Sequence, residues 1–204
     1  MNINGKVIKA GAYLVNANLR HVDLRGLNLT EADLRGANLT GAFLNNTNLS
    51  KADLTGAKLY GVYASGADFT GANLFEANLV GGDFTNVKFI AAYLDGIDAI
   101  KANFRYANLS VADCSYANFT GADLSRADMS ETKLRYANLF GARLSYSHLF
   151  RADFTGANLY EADLLDTNLC QADFTNAVLN YAVITGAILT DTTISREQIK
   201  TTMH

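Results

Sequence analysis

Proline and tryptophan are absent from the 204 residues. A loop-rich globular enzyme of this size ordinarily contains several prolines, so their absence points to regular backbone throughout. Cysteine is scarce: Cys114 and Cys170 stand alone, with no CxxC and no His/Cys cluster. That excludes a disulfide framework and argues against a metal site, and it suits a reducing, cytoplasmic compartment. No apolar run approaches the roughly 20 residues of a membrane span. The opening MNINGKVIKAGAYLVNANL lacks the apolar core and cleavage site of a secretory leader. With a net charge of −3 there is no basic footprint for direct nucleic-acid binding and no acidic tail. Catalytic signatures are missing too: no GxSxG, no Walker A, no HExxH, and no GxGxxG between a strand and a helix.

What is present is a repeat of five: A-D-L-R-G at 32–36, A-N-L-T-G at 37–41, A-D-L-T-G at 52–56 and A-D-F-T-G at 67–71. Taking the Leu or Phe as centre, centres fall at every fifth position from Leu14 to Ile194 without insertion or deletion. The exceptions to Leu and Phe are Ile184, Ile194, Met129, Cys114, Ala64 and Ala99. Two residues earlier the residue is mostly Ala. If these two columns face inward they must be free of unpaired charge, because burying one is prohibitive. Neither column holds an Asp, Glu, Lys, Arg, Asn, Gln or His, and all ten tyrosines lie in the other three columns. Five is not a helical period, since five residues turn an α-helix by about 500°. Nor is it a strand period, since an odd repeat flips faces each time. An in–out–in piece followed by two outward residues describes a short extended segment and a corner. Gly is frequent at the second corner residue, as in Gly36, Gly41, Gly56 and Gly141, where positive φ is inexpensive for it. Such a unit winds a β-solenoid.

The iterated motif A-(D/N)-L-x-x, covering about nine-tenths of the chain, resembles the pentapeptide-repeat family. The resemblance implies an all-β fold, a right-handed quadrilateral parallel β-helix with four repeats per coil. Thirty-seven repeats then give about nine coils, and at roughly 4.8 Å per coil a rod of somewhat over 40 Å. The 20-residue coil sets Ala64 beside Phe84 and Ala99 beside Phe119, a large neighbour filling each missing volume. Cys114 is then a small core residue, and Cys170 faces outward, too far away to pair with it.

At the ends, Ser195-Arg-Glu-Gln198 has capping-box spacing. A short helix from about 196 to 202, laying Ile199 over the last coil, is expected. Val7 fits an inward position and Lys9 does not fit a centre, so the coil is expected to begin near residue 12. The divisions are a lead-in at 1–11, a β-helix at 12–195 and a cap or tail at 196–204. A solenoid also exposes unpaired edges, so N-terminal edge pairing into a homodimer stays open.

The surface offers little chemistry. His148 stacks between Asp128 and Asn168 without a pocket, a nucleophile or an oxyanion hole. The aspartates alternate with Asn in one column and serve the turn. No catalytic residue, cofactor or metal ligand is expected. One face carries Asp33, Asp53, Glu76, Asp95, Asp113, Asp153 and Asp173 against Arg35, Lys133 and Arg135, interrupted by Tyr93, Tyr116 and Tyr136. The next face is charge-poor and carries Tyr60, Val80, Ile100, Phe140 and Tyr160 beside an Asn-rich column, the composition of an interface core. Tyr106 and Tyr146 flank Arg126 at stacking distance. The stretch 81–101 is the least repeat-like, with Gly82, Val87, Ile97 and Ala99 in inward columns; a binding patch and a join between two arrays both fit it. The expected role is that of a rigid, non-catalytic protein-interaction scaffold, bacterial and cytoplasmic, with an unidentified protein partner or a homodimer through the apolar stripe. The alternative is an acidic DNA mimic acting on a type II topoisomerase (gyrase), which the resemblance suggests.

Overall fold

In the computed structural model, which describes residues 2–3 and 6–202, the five-residue repeat becomes one extended bridge and one turn. The repeat at Leu34 illustrates the wiring. Leu34 N–H donates to Asp53 O (2.7 Å), Gly36 N–H to Thr55 O (2.9 Å), and Asp53 N–H to Ala32 O (2.9 Å). Ala37 N–H closes the turn on Leu34 O (2.9 Å). Parallel bridges recur from Tyr13↔Asp33 to Asn168↔Ile188, each joining residues twenty apart. Twenty residues are four repeats, so each coil has four sides and every side stacks on its equivalent in the coil before. The result is a β-helix-like solenoid built from isolated bridges rather than long strands.

The turn is more demanding than the glycines suggest. Every second corner residue from Gly11 to Asp191 has positive φ, and most of them are not glycine. A turn closed by an i→i+3 hydrogen bond with positive φ only at its third residue is a type II turn. Lys51, Tyr106 and even the β-branched Val111 (φ 60°) adopt it, at about 1–2 kcal/mol each for an L-residue. The coil imposes this conformation, because the turn N–H groups at both flanks are committed to the ladder.

The two inward columns are buried from Ala12 to Ile184, except Val22 and Leu27 near the first coil, which are half-buried. Toward the other end Ala187, Leu189 and Ile194 are partly exposed. Thr47, Thr132 and Thr167 occupy inward positions without orphaning their hydroxyls, which donate to Leu24 O, Leu109 O and Leu164 O at 2.7–2.8 Å. Midway along the axis the leucines give way to rings. Phe69 stacks on Phe89 (4.8 Å), Phe84 on Phe104 (5.2 Å), and Phe119 meets Phe104 edge-on (5.6 Å). Ala64 and Ala99 are fully buried beside this cluster.

The ends depart from the simple extension of the repeat. Asn2–Ile3 (β1) and Lys6–Val7 (β2) form an antiparallel pair with Asn2 opposite Val7. That pairing takes Val7 out of solenoid register. Its side chain is 55% exposed, and Ile8, at 3%, enters the core instead. The inward assignment of Val7 is therefore wrong. At the far end Arg196–Lys200 (α1) carries the expected capping box, Ser195 and Gln198 each bonding the other's backbone. Ile199 is only half-buried. The contact that ties α1 to the coil is polar: Gln198 Nε2 donates to Phe174 O (2.9 Å) and Ala177 O (2.8 Å), both carbonyls of the coil edge.

Candidate interaction surface

The aspartates and asparagines of the repeat share one task. Asp53 Oδ1 accepts from Thr55 N (3.0 Å) and Thr55 Oγ1 (2.6 Å), and Asn73 Oδ1 accepts from Phe75 N (3.1 Å). Asp33, Asp113, Asp153 and Asp173 make the same bond to the residue two positions on. An oxygen that holds its own turn is needed whether the side chain is Asn or Asp, which explains their free alternation.

Charge on this side is settled locally. Arg35 pairs with Asp33 (2.7 Å) and lies 3.8 Å from Asp53, Lys133 pairs with Asp113 (3.1 Å), and Arg135 pairs with Asp153. Hydrogen bonding from Arg35 holds Asp33 below the usual carboxylate range. At Asp113 and Asp153 burial pushes upward, but the Ser115 and Thr155 hydroxyls and the Lys133 and Arg135 cations outweigh it and the values fall. Among the described residues Glu76, Asp95 and Asp173 of this face have no cation at ion-pair distance, Asp173 being served instead by Thr175 and Thr193 hydroxyls.

Asp95 differs from the others. It occupies the position after a centre, not the turn-serving column, and its Oδ1 is enclosed without a hydrogen-bond partner. Burial, then Asp113, then Glu76 raise its pKa. It lines an open groove of about 600 Å³ together with Lys51, Ala52, Asp53, Gly71, Asn73, Phe75, Tyr93 and Asp113. Tyr93 is 61% exposed and Phe75 38%. Position alone could have singled out Asp95, as an acid outside the D/N column. The groove itself was not visible, because it depends on side chains from successive coils.

The charge-poor face is continuous in space. Tyr60 and Phe140 are exposed, while Val80, Ile100 and Tyr160 are half-buried. Phe140 stacks on Tyr160 (5.5 Å, 8°), and Tyr181 from a neighbouring corner adds an edge-on contact to Tyr160 (5.3 Å) that the column pattern did not include. Asn158 Nδ2 donates to Asn138 Oδ1 (3.1 Å) and Asn138 Nδ2 to Thr120 Oγ1 (3.0 Å), so part of the adjoining Asn column bonds along the axis. Elsewhere Tyr116 stacks on Tyr136 (5.3 Å), and Arg126 lies 4.9 Å from the Tyr146 ring and 5.9 Å from that of Tyr106.

The irregular stretch 81–101 keeps the same bridges as its neighbours. Gly82 has a packing reason: a Cβ there would lie 2.6 Å from Phe84 Cε2 and 3.2 Å from Leu79 O. Cys114 is fully buried, and burial raises its thiol pKa far above the ordinary value. His148 bridges Asp128 and Asn168 on an open face. Among the described residues no group of three or more His, Cys, Asp or Glu is placed to hold a metal, and no helix is long and apolar enough to cross a membrane.

No curated protein sequence matches the chain. Among solved structures it is similar to HetL, a pentapeptide repeat protein involved in heterocyst differentiation regulation from the cyanobacterium Nostoc sp. strain PCC 7120. The two are 31% identical with a TM-score of 0.54, over 90% of this chain and 86% of HetL. It also matches QnrB1, a plasmid-mediated fluoroquinolone resistance protein (19% identity, TM-score 0.46, 87% and 93% covered). A third match is Rfr23 from the cyanobacterium Cyanothece 51142 (29% identity, TM-score 0.27, 52% and 63% covered). The model of the Pentapeptide repeats family matches in 8 copies, along 12–50, 28–63, 52–89, 83–113, 107–145 and 152–191. With nearly the whole repeat array matched and its bridges twenty residues apart, the chain belongs to the pentapeptide repeat family.

Proposed function

We propose that this solenoid is a rigid, non-catalytic scaffold that binds a protein partner through its outer faces. The reading extends to its architecture: a right-handed rod of about nine coils over 12–195, a lead-in at 1–11, and a tail at 196–204 whose helix closes the C-terminal end. The observation that carries the functional reading is the stacked Tyr60–Val80–Ile100 and Phe140–Tyr160 stripe, apolar and aromatic beside a column that is mostly Asn, on a face where Arg20, Lys58, Asp98, Lys101 and Glu161 are the scattered charges. Rigid aromatic side chains already held in place lose little entropy on binding, which favours them at interface cores. The regulatory involvement in HetL's description is compatible with such a role. Phe140→Asp and Ile100→Asp replace outward side chains and should leave the fold intact, measured by circular dichroism, while abolishing capture of any partner recovered with the unaltered chain. Unchanged capture by both variants would sink the stripe.

A second reading, mimicry of duplex DNA toward a type II topoisomerase, draws on one observation: Asp33 bridges to Asp53 and Asp153 to Asp173 along one line. Mimicry needs dense negative charge, and Arg35, Lys133 and Arg135 dilute it here. A supercoiling assay decides this reading. Gyrase activity and drug sensitivity unaltered by a large molar excess would eliminate it.

A further inference from the structure

The groove between Asp53 and Asp113 brings carboxylates and exposed aromatic rings together. Asp53, Asn73, Tyr93 and Asp113 lie on successive coils, joined by direct bridges. Three coil spacings give the groove a length of about 14 Å, and an extended chain at roughly 3.3 Å per residue covers that with about four residues. Its volume of about 600 Å³ is that of a ligand site. The lining carries three carboxylates, Asp53, Asp95 and Asp113, and two exposed rings, Phe75 and Tyr93, against the single cation Lys51. Glu76 follows Phe75 in the chain and adds to the charge at Asp95.

The carboxylates are not equally available. Asp53 and Asp113 each hold a turn and lie near a cation. Asp95 holds no turn, makes no ion pair, and keeps an enclosed oxygen without a donor. A partly buried carboxylate beside two like charges costs stability unless a cation joins it. An aromatic surface around such an acid rewards a long cationic side chain twice. The aliphatic stem or guanidinium lies on the ring face, and the charged head reaches the carboxylate.

We infer that this groove docks a short basic segment of a partner protein, about four extended residues long, with a lysine or arginine seated on Phe75 and Tyr93 and its head group on Asp95. The inference rests on the scaffold reading above and adds a second contact surface to it, on the face adjoining the apolar stripe. Charge complementarity selects the occupant: an acidic or neutral segment leaves Asp95 unpaired, and a purely apolar one buries it further.

The probe is a fluorescein-labelled Lys-Arg-Lys-Arg tetrapeptide, followed by anisotropy on the full chain at low ionic strength. Saturable one-to-one binding is expected. Asp95→Asn and Phe75→Ala should each weaken it about five- to tenfold, the scale of one lost charge-assisted or cation–π contact. Neither should unfold the protein, since both side chains lie on the outside of the coil and Asp95→Asn removes an unpaired charge. Asp163→Asn, two sides of the coil away, and Phe140→Asp, on the stripe, should leave binding unchanged. No saturable binding overturns the inference, as does an equal loss with Asp163→Asn, which would make the attraction diffuse. Displacement by spermidine at concentrations equal to the peptide's also overturns it, by making the occupant a free polyamine. Loss of partner capture by the stripe variants without peptide binding removes the groove and keeps the scaffold. Asp95-dependent peptide binding with capture insensitive to both stripe variants removes the stripe and keeps the groove.

Discussion

Gly82 shows how a single residue can look anomalous in sequence and be ordinary in space. It breaks the alanine column because the Phe84 ring of the same repeat occupies the volume a methyl would need. Phe84 is fully buried and stacked on Phe104, so it has nowhere to go. Gly82→Ala is expected to destabilise by about 1–3 kcal/mol, the usual cost of overpacking, read as a lowered thermal midpoint. The double variant Gly82→Ala/Phe84→Leu should recover most of that loss. Full loss in the double variant would mean that the backbone, not the ring, needs glycine. Cys114 offers an independent check on the core. Buried with a raised pKa, it should resist a thiol reagent while half-buried Cys170 reacts, giving one fast thiol in the native protein and two after denaturation.

The C-terminal helix, α1, is held by a shared amide rather than by an apolar face. Gln198 accepts from Ser195 N through Oε1 (2.8 Å) and donates through Nε2 to Phe174 O and Ala177 O. One side chain thus satisfies a helix N-terminus and two edge carbonyls, groups that otherwise require water or another chain. Thr201 O adds a further link by accepting from Tyr181 N (2.7 Å). Gln198→Leu keeps the volume and removes the three bonds of the side chain, leaving the backbone link to Thr201. It should raise amide exchange in α1 and around Tyr181 well before the central coils respond, because repeats contact only their neighbours. Exchange unchanged at Tyr181 would show that α1 is held by other means.

Across the whole molecule the acids pull stability in opposite directions. Asp33, Asp113, Asp153 and Asp173 have folded values below the ordinary 3.8. What they contribute is fully present above that value and is lost as pH falls through their lower folded values. Asp95 has the reverse sign. Its folded value lies above 3.8, so its contribution is present below 3.8 and turns into a cost as pH rises through the folded value. The thermal midpoint should therefore drop as pH falls below about 4. Asp95→Asn should raise it by about 1–3 °C at neutral pH, with the gain vanishing in acid. A gain that persists in acid would refute the assignment of the cost to an ionised Asp95.

Sequence periodicity by itself determined the inward columns, because a charged residue at any of those positions would be ruinous and a column without one is conspicuous. It also determined the outward tyrosines, the turn-serving role of the D/N column and the short C-terminal helix, all set by neighbours within a few residues. It misjudged Val7, since the β1–β2 pairing that displaces it from the coil leaves no mark on the repeat. The local pairing of the acidic face, the reason for Gly82, the bonds of Gln198 and the groove at Asp95 were decided only by tertiary structure. The bonds of Gln198 and the groove depend on contacts between successive coils, which one repeat read alone does not contain. Gly82 with Phe84 and Asp33 with Arg35 share a repeat, but the side-chain orientation that brings each pair together is set by the packing around it.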